Sequence, residues 1–225
     1  MKERESNVLS LLEDKTNIYA RKIALGMKTQ FGWKELTYDG LGLMSRRLAA
    51  YLMNDLGIQR GEKLAILSES KPEYGACVFA SVISGLITVP LDIKLTKYEL
   101  QSILSDCLPS VMLVSQSYID KALELQKAIP SLKHIIVMDE HPVNENLQSI
   151  YTIPNNYTCK WRHRSRKSVV FIIYTSGTTG NPKGVETTFG NMLAQLKDLK
   201  TAFNQILPYG DVRVLSCLLY TSPSP

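Results

Sequence analysis

Cysteine is scarce and scattered. The four cysteines stand at Cys77, Cys107, Cys159 and Cys217, with no C-x-x-C pair and no Cys/His cluster. That argues against a zinc site and a compact disulfide framework, and it reads as reduced thiols of a cytosolic protein. Histidine is scarcer: His134, His141 and His163 have neither triad nor metal spacing and read as surface or loop residues. Charge of one sign is in small excess. The 26 Lys and Arg against 21 Asp and Glu leave +5, which permits anionic partners without demanding nucleic acid. A secretory signal is lacking, because Met1-Lys2-Glu3-Arg4-Glu5 carries both signs and no apolar run follows it. The one stretch of membrane length, Tyr74 to Leu91, has 18 uncharged residues but is broken by Gly85 and Pro90. It reads as a buried helix followed by a buried strand. What remains is a chain of 225 residues, 44% hydrophobic and 21% charged. Such a chain suits a globular protein with a core and excludes wholesale disorder.

No internal repeat is visible. The first sixty residues look helical with one extended patch, Phe31 to Leu36. Thr37 then caps a helix whose apolar residues Leu41, Met44, Leu48 and Leu52 recur at helical spacing, and Gly57 ends it. From Lys63 the pattern alternates. Lys63–Leu67, Ile87–Leu91, Val111–Val114 and His134–Met138 read as short buried strands. Between them lie helices over Glu73–Ser84, from Thr96 to about Asp106, and over Tyr118–Ala128. Ser70-Lys71-Pro72-Glu73 and Thr96-Lys97-Tyr98-Glu99 have the form of capping boxes. Strands of four or five apolar residues between such helices predict βαβ units: an α/β fold, with a mainly parallel sheet and helices on both faces.

Asp139 to Lys167 breaks the rhythm with Pro142, Pro154, several Asn and the basic residues Lys160, Arg162, Arg164, Arg166 and Lys167. A long, partly exposed connection is expected there. The basic run reads as a solvated loop rather than an RNA contact, since only Trp161 interleaves it.

Ser168 to Tyr174 is the strongest strand signal and reads as central. Directly after it comes Thr175-Ser176-Gly177-Thr178-Thr179-Gly180-Asn181-Pro182-Lys183-Gly184, and then a helix with Met192, Leu196, Leu199 and Phe203 on one face. Strand, glycine-rich loop and helix form a phosphate-binding arrangement at the carboxyl edge of a sheet. Gly177, Gly180 and Gly184 allow tight turns and remove the Cβ atoms that would obstruct a phosphate. Backbone N–H groups then point inward as an anion nest. Thr175, Ser176, Thr178 and Thr179 add hydroxyl donors, and Lys183 adds a full positive charge. The spacing is neither G-x-x-x-x-G-K-[ST] nor G-x-G-x-x-G, so GTPase and dinucleotide readings fail.

The continuous segment Tyr174 to Val185 resembles the signature of the AMP-forming acyl-CoA synthetase and adenylate-forming enzyme superfamily. Glu69 to Gly75 and Gly85 to Asp92 resemble its long-chain fatty acid–CoA ligase branch. Gly61 to Ile66 and Asp211 to Ser216 also sit in family order, so the resemblance covers residues 7 to 216. It implies an incomplete N-terminal part of an adenylate-forming enzyme fold. The implied reaction has two steps: a carboxylate attacks the α-phosphate of ATP, giving an acyl-adenylate and pyrophosphate, and coenzyme A then takes the acyl group. By the same resemblance Tyr174, Thr175, Ser176, Gly177, Thr178, Thr179, Gly180, Lys183 and Gly184 bind ATP, and Thr175 helps hold Mg²⁺. No residue of this stretch is assigned as catalytic.

Three departures stand out. Phe189 takes a position where family members often carry His, and Arg164 to Lys167 are basic where the family is usually acidic. After Ser216 the family pattern stops, and Cys217 to Pro225 are nine residues that one reading frame of a transposon-library adapter encodes. The expectation is that residues 1–216 are the N-terminal portion of the adenylation domain and residues 217–225 a non-native tail. The parent is expected to be a cytoplasmic fatty acid–CoA ligase, with peripheral membrane contact left open, and the fragment to be inactive. Rival readings are an adenylating enzyme for another carboxylate or for acyl carrier protein, and a non-catalytic nucleotide-binding module.

Overall fold

The computed structural model describes residues 14–154, 164–175 and 182–206. The described residues begin with a helical segment at 14–18, and the first two strands are β1 (Ile23–Thr29) and β2 (Gly32–Thr37). They pair antiparallel as a separate ribbon. Helix α1 (Tyr38–Asn54) follows, with the Thr37 hydroxyl accepting from the Gly40 N–H at 3.1 Å. The expected cap is therefore present. The helix stops at Asn54, and Gly57 lies beyond it with φ of +64°. The β1 strand was not anticipated: its one-residue register shift between Ile23 and Leu25 blurs the two-residue alternation that reveals a half-buried strand.

The main sheet has seven strands in the order β7-β6-β5-β3-β4-β8-β9. These are β3 (Lys63–Leu67), β4 (Ile87–Leu91), β5 (Val111–Val114), β6 (His134–Val137), β7 (Gln148–Ser149), β8 (Val169–Thr175) and β9 (Lys183–Thr188). All neighbours are parallel except β8 and β9. The connecting helices are α2 (Pro72–Ser84), α3 (Lys97–Cys107) and α4 (Ile119–Ala128), and α5 (Phe189–Ile206) follows β9.

Parallel strands buried on both faces need apolar residues at every position, and β5 is buried throughout. One face places Leu64, Ile66, Val111, Leu113 and Val170 against Leu48 and Leu52 of α1, Cys77, Ala80 and Ile83 of α2, and Phe189 of α5. The other places Ala65, Leu67, Met112, Val114 and Val137 against Leu100 and Leu104 of α3 and Ala122 and Leu125 of α4. The predicted α/β layering, with helices on both faces, is what the structure has. Tyr74 to Leu91 resolves into most of α2 and all of β4. Among the described residues, no helix is long and apolar enough to cross a membrane.

Four expectations change. First, β8 is next to last in the sheet rather than central, and only Val170 and Ile172 of it are buried. Strong β-branched character reflects strand propensity, not position in a sheet. Second, His134 opens the strand as expected but is half-buried there rather than a surface or loop residue. Third, the partly exposed connection holds a strand: β7 adds an edge to the sheet, and Ile150 and Ile153 after it are buried.

Fourth, the capping box at Ser70–Glu73 does not form. Lys71 takes the N-cap position without a side-chain cap bond, and Pro72 opens the helix. Glu73 is drawn away by distant partners. Its carboxylate is 1% exposed, accepts from the Tyr151 hydroxyl and pairs with the Lys34 ammonium of β2. Burial first, then the bond to Glu73, raises the Tyr151 pKa well above the ordinary phenol value, so this hydroxyl stays a donor. One carboxylate thereby ties β2, α2 and the segment after β7 together, while the box at Thr96 and Glu99 forms in full.

Two predictions follow from these contacts. Tyr151→Phe removes a donor from a buried carboxylate and should cost roughly 1–3 kcal/mol, read as a lower urea midpoint; an unchanged midpoint contradicts the tie. The Thr96 hydroxyl and backbone bonds lower the Glu99 pKa below the usual carboxylate value. A lowered folded value means that the contribution is present above the ordinary glutamate value of about 4.3 and fades as pH falls below it. The difference in urea midpoint between the chain and Glu99→Ala should therefore be larger at pH 7 than at pH 3.

Candidate polyphosphate site

Because β3, β4, β5, β6 and β8 run parallel, their carboxyl ends share one edge of the sheet. That edge collects loops and is where open α/β sheets bind ligands. It is strongly polar here. Lys71 is buried and pairs with Asp139, with Glu69 3.9 Å from the same ammonium. Asp139 also accepts from the Gln116 N–H at 2.7 Å, and Ser115 donates to Glu69. These bonds stitch together the loops after β3, β5 and β6. Glu69 and Lys71 lie inside a stretch read for its family likeness, but nothing in their spacing named Asp139 as the partner.

The glycine- and threonine-rich loop leaves this edge from the end of β8. It returns as β9, antiparallel, with Tyr174 opposite Gly184 and Thr175 opposite Lys183. This corrects the expected strand–loop–helix. A six-residue strand stands between the loop and α5, which starts at Phe189, so α5 does not begin at the end of the loop. Lys183 to Thr188 has two Thr and Val185 among its six residues, and the antiparallel partner was the signal to read.

Of the residues assigned to ATP, the structure describes Tyr174, Thr175, Lys183 and Gly184. Ser176, Gly177, Thr178, Thr179 and Gly180 lie outside the described residues. The four described ones form the mouth of the loop. Residues directly opposite in an antiparallel pair share a face, so the Thr175 hydroxyl and the Lys183 ammonium project to the same side. Both residues are exposed, open to a ligand arriving from solvent.

Tyr174 is the anchor. Its ring packs with the α3–α4 core, and its hydroxyl donates to Asp106 in the last turn of α3. A carboxylate at a helix C-terminus is disfavoured by the helix dipole, and the tyrosine O–H relieves it. Burial, then the Asp106 bond, raises the Tyr174 pKa above the ordinary phenol value, so the hydroxyl remains a neutral donor. Burial and then Asp106 push the neighbouring Cys107 thiol up to about 11, which makes it inert at neutral pH. Asp106 was invisible as a site residue in the sequence, because its partner is 68 positions away.

Gly184 is needed for close approach. A Cβ there would stand 2.8 Å from Ile172 Cγ2 and 3.1 Å from Tyr174 Cζ. Phe189, at the position where a histidine was noted as usual, is 3% exposed and belongs to the core. Its N–H donates to the Ser168 carbonyl at 2.8 Å, fixing the start of α5 to the base of β8. Met192 packs on the core, but Leu196 and Leu199 on the expected face are 40% and 51% exposed; the Phe203 side chain lies outside the described ones.

As for Mg²⁺, Thr175 is a hard oxygen donor at an exposed strand end. That suits an ion that takes one or two protein oxygens and completes its shell with phosphate and water. Among the described residues no group of three or more His, Cys, Asp or Glu side chains could hold a metal alone.

Gly184→Ala forces Ile172 and Tyr174 apart and should destabilise the β8–β9 pair by about 1–3 kcal/mol. Hydrogen exchange checks this: amides of Ile172 to Thr175 should exchange roughly tenfold faster or more, while those of β5 hold. Unchanged exchange in β8 contradicts the close approach.

Comparison with known proteins identifies the family and the fold. The chain is 29% identical over 186 residues to the long-chain-fatty-acid–CoA ligase ACSBG1 of Homo sapiens, covering 77% of this chain and 25% of that protein. It is 28% identical over 191 residues to the crotonobetaine/carnitine–CoA ligase of Escherichia fergusonii, covering 80% of this chain and 36% of that one. It therefore spans about a quarter to a third of the length of these relatives. Among solved structures, the anthranilate CoA ligase AuaEII in complex with anthranoyl-AMP superposes with a TM-score of 0.70 at 28% identity, over 84% of this chain and 36% of that one. The A-PCP didomain of carboxylic acid reductase from Segniliparus rugosus, in complex with AMP, has a TM-score of 0.71 at 21% identity, over 86% of this chain and 33% of that one. The AMP-binding enzyme family model matches residues 12–220, and the chain belongs to that family.

Proposed function

We propose that this chain is the N-terminal portion of an ATP-dependent acid–thiol ligase that activates a fatty acid as its acyl-adenylate and passes it to coenzyme A. The observation that carries the reading is the hairpin mouth: Thr175 and Lys183 paired across β8 and β9 at the carboxyl edge of a parallel sheet. Membership of the AMP-binding family supports adenylation, and the similarity to ACSBG1 supports a fatty acid.

Each residue has a task in this reading. Pyrophosphate is the leaving group, so negative charge grows on the β- and γ-phosphate oxygens as the α-phosphate is attacked. Preorganised donors at that place lower the barrier. Lys183 supplies the full positive charge. Ser176, Thr178 and Thr179 supply hydroxyls, and Gly177, Gly180 and Gly184 let the main chain come close. Tyr174, tied to Asp106, sets where the hairpin begins. Thr175 would hold Mg²⁺, which supplies charge neutralisation between phosphate oxygens when bound.

Residues 1–216 are then one part of the adenylation domain, and residues 217–225 a non-native tail. Alone, the chain should not turn over substrate. The crotonobetaine/carnitine ligase at similar identity keeps a different carboxylate as the second reading.

Pyrophosphate exchange into ATP tests both. In the full-length protein that carries this chain, exchange should require a medium- or long-chain fatty acid, and Lys183→Ala should reduce it by roughly a hundredfold, the scale of a lost transition-state donor. Exchange that depends on a short polar acid instead would favour the second reading. No acid-dependent exchange at all would overturn adenylation.

A further inference from the structure

Among the described residues, Arg164 is the charged side chain with the most buried atoms lacking a hydrogen-bond partner. It stands five positions before β8, at the opposite end of that strand from the polyphosphate loop, and is 4% exposed. Its Nη2 donates to the Leu86 carbonyl at 2.8 Å. Its Nε and Nη1 are buried and have no hydrogen-bond partner among the described residues. A guanidinium is always charged at neutral pH, and those two nitrogens carry three N–H donors. Leaving them dry and unpaired costs free energy that a neighbouring negative group would recover.

The surroundings sharpen the demand. Leu86 follows Gly85, whose φ of +84° brings the chain round in a left-handed turn, and the stem of Arg60 lies against it, with Cγ 2.9 Å from where a Cβ would stand. Arg60 and Arg164 therefore converge on one turn at the amino end of β4. Burial first, and repulsion by Arg60 second, lower the Arg164 pKa to about 10. Arg166 and Lys167, both exposed, add to the positive field nearby.

We infer that the turn at Gly85–Leu86 is a second anion site, in which Arg164 holds a small oxyanion, a carboxylate or a phosphate, through Nε and Nη1. The site is distinct from the polyphosphate loop, since the length of β8 separates them. The Leu86 carbonyl fixes the guanidinium plane, and the Arg60 stem walls one side.

The test is a titration of the ¹⁵N-labelled 225-residue chain, following the Arg164 Nε–H resonance. Inorganic phosphate is added in one arm and acetate in the other, each at ionic strength held constant with chloride. The resonance should move saturably in one arm, half-maximally on the order of 1 mM, as expected for two or three charge-assisted bonds at a partly hydrated site. Saturation with phosphate identifies a phosphate-type ligand; saturation with acetate identifies a carboxylate, including an acidic side chain. The same ion should raise the thermal midpoint of the wild-type chain and of Arg166→Gln, but not of Arg164→Gln. The proposal is overturned if neither ion moves the resonance, or if Arg166→Gln loses the effect as fully as Arg164→Gln, which would make it diffuse surface charge. Should Arg164→Gln not fold, the wild-type resonance and Arg166→Gln alone decide.

Discussion

Everything at the candidate site depends on parallel pairing in a sheet covered on both faces. Parallel strands place their carboxyl ends at one edge, and they persist only where helices keep both surfaces dry. Here β3 and β5 supply the dry centre, with Leu64, Ala65, Ile66 and Leu67 and the whole of Val111–Val114 out of solvent. β8 joins that frame through β4, with Thr88 opposite Phe171. If β8 did not run parallel to β4, the loop after Thr175 would leave from the wrong edge.

The hairpin built on β8 is a local exception to the parallel rule, and its residues show why it holds. A register shift between Val169 and Phe171 lets Val170 face the α1–α2 core while Ile172 and Tyr174 face the α3–α4 core. Tyr174 then reaches Asp106, and Gly184 gives its ring room. The outer surface is less well covered. Ile173 and Val185 stand opposite each other and are 42% and 54% exposed, and Leu196 and Leu199 of α5 are exposed as well. The Ile173–Val185 pair lies one position from the loop mouth, in a chain that spans about a quarter of the human relative it matches.

The α/β frame was legible because its cues are local: apolar runs of four or five, the Thr37 cap, the Thr96–Glu99 box. The family likeness was legible because its strongest signal, Tyr174 to Val185, is one contiguous segment, and the family model matches across it. What escaped was nonlocal. Ser70-Lys71-Pro72-Glu73 has the letters of a capping box, yet Tyr151 and Lys34 take the glutamate. The strand after the loop was read as the start of a helix because β9 depends on a partner, β8, rather than on its own periodicity. Arg164 looked like one of five solvated cations; its burial follows from the turn at Gly85–Leu86, about eighty positions earlier. Asp106 and Asp139 had no signature of their own.

The most direct measurement of the central claim is a crystal structure of the full-length protein grown with ATP and Mg²⁺. The account predicts the β- and γ-phosphates seated between the ends of β8 and β9, with the Lys183 ammonium and the Thr175 hydroxyl turned toward them and Tyr174 still bonded to Asp106. Phosphates bound elsewhere, with Lys183 pointing to bulk solvent, would contradict it.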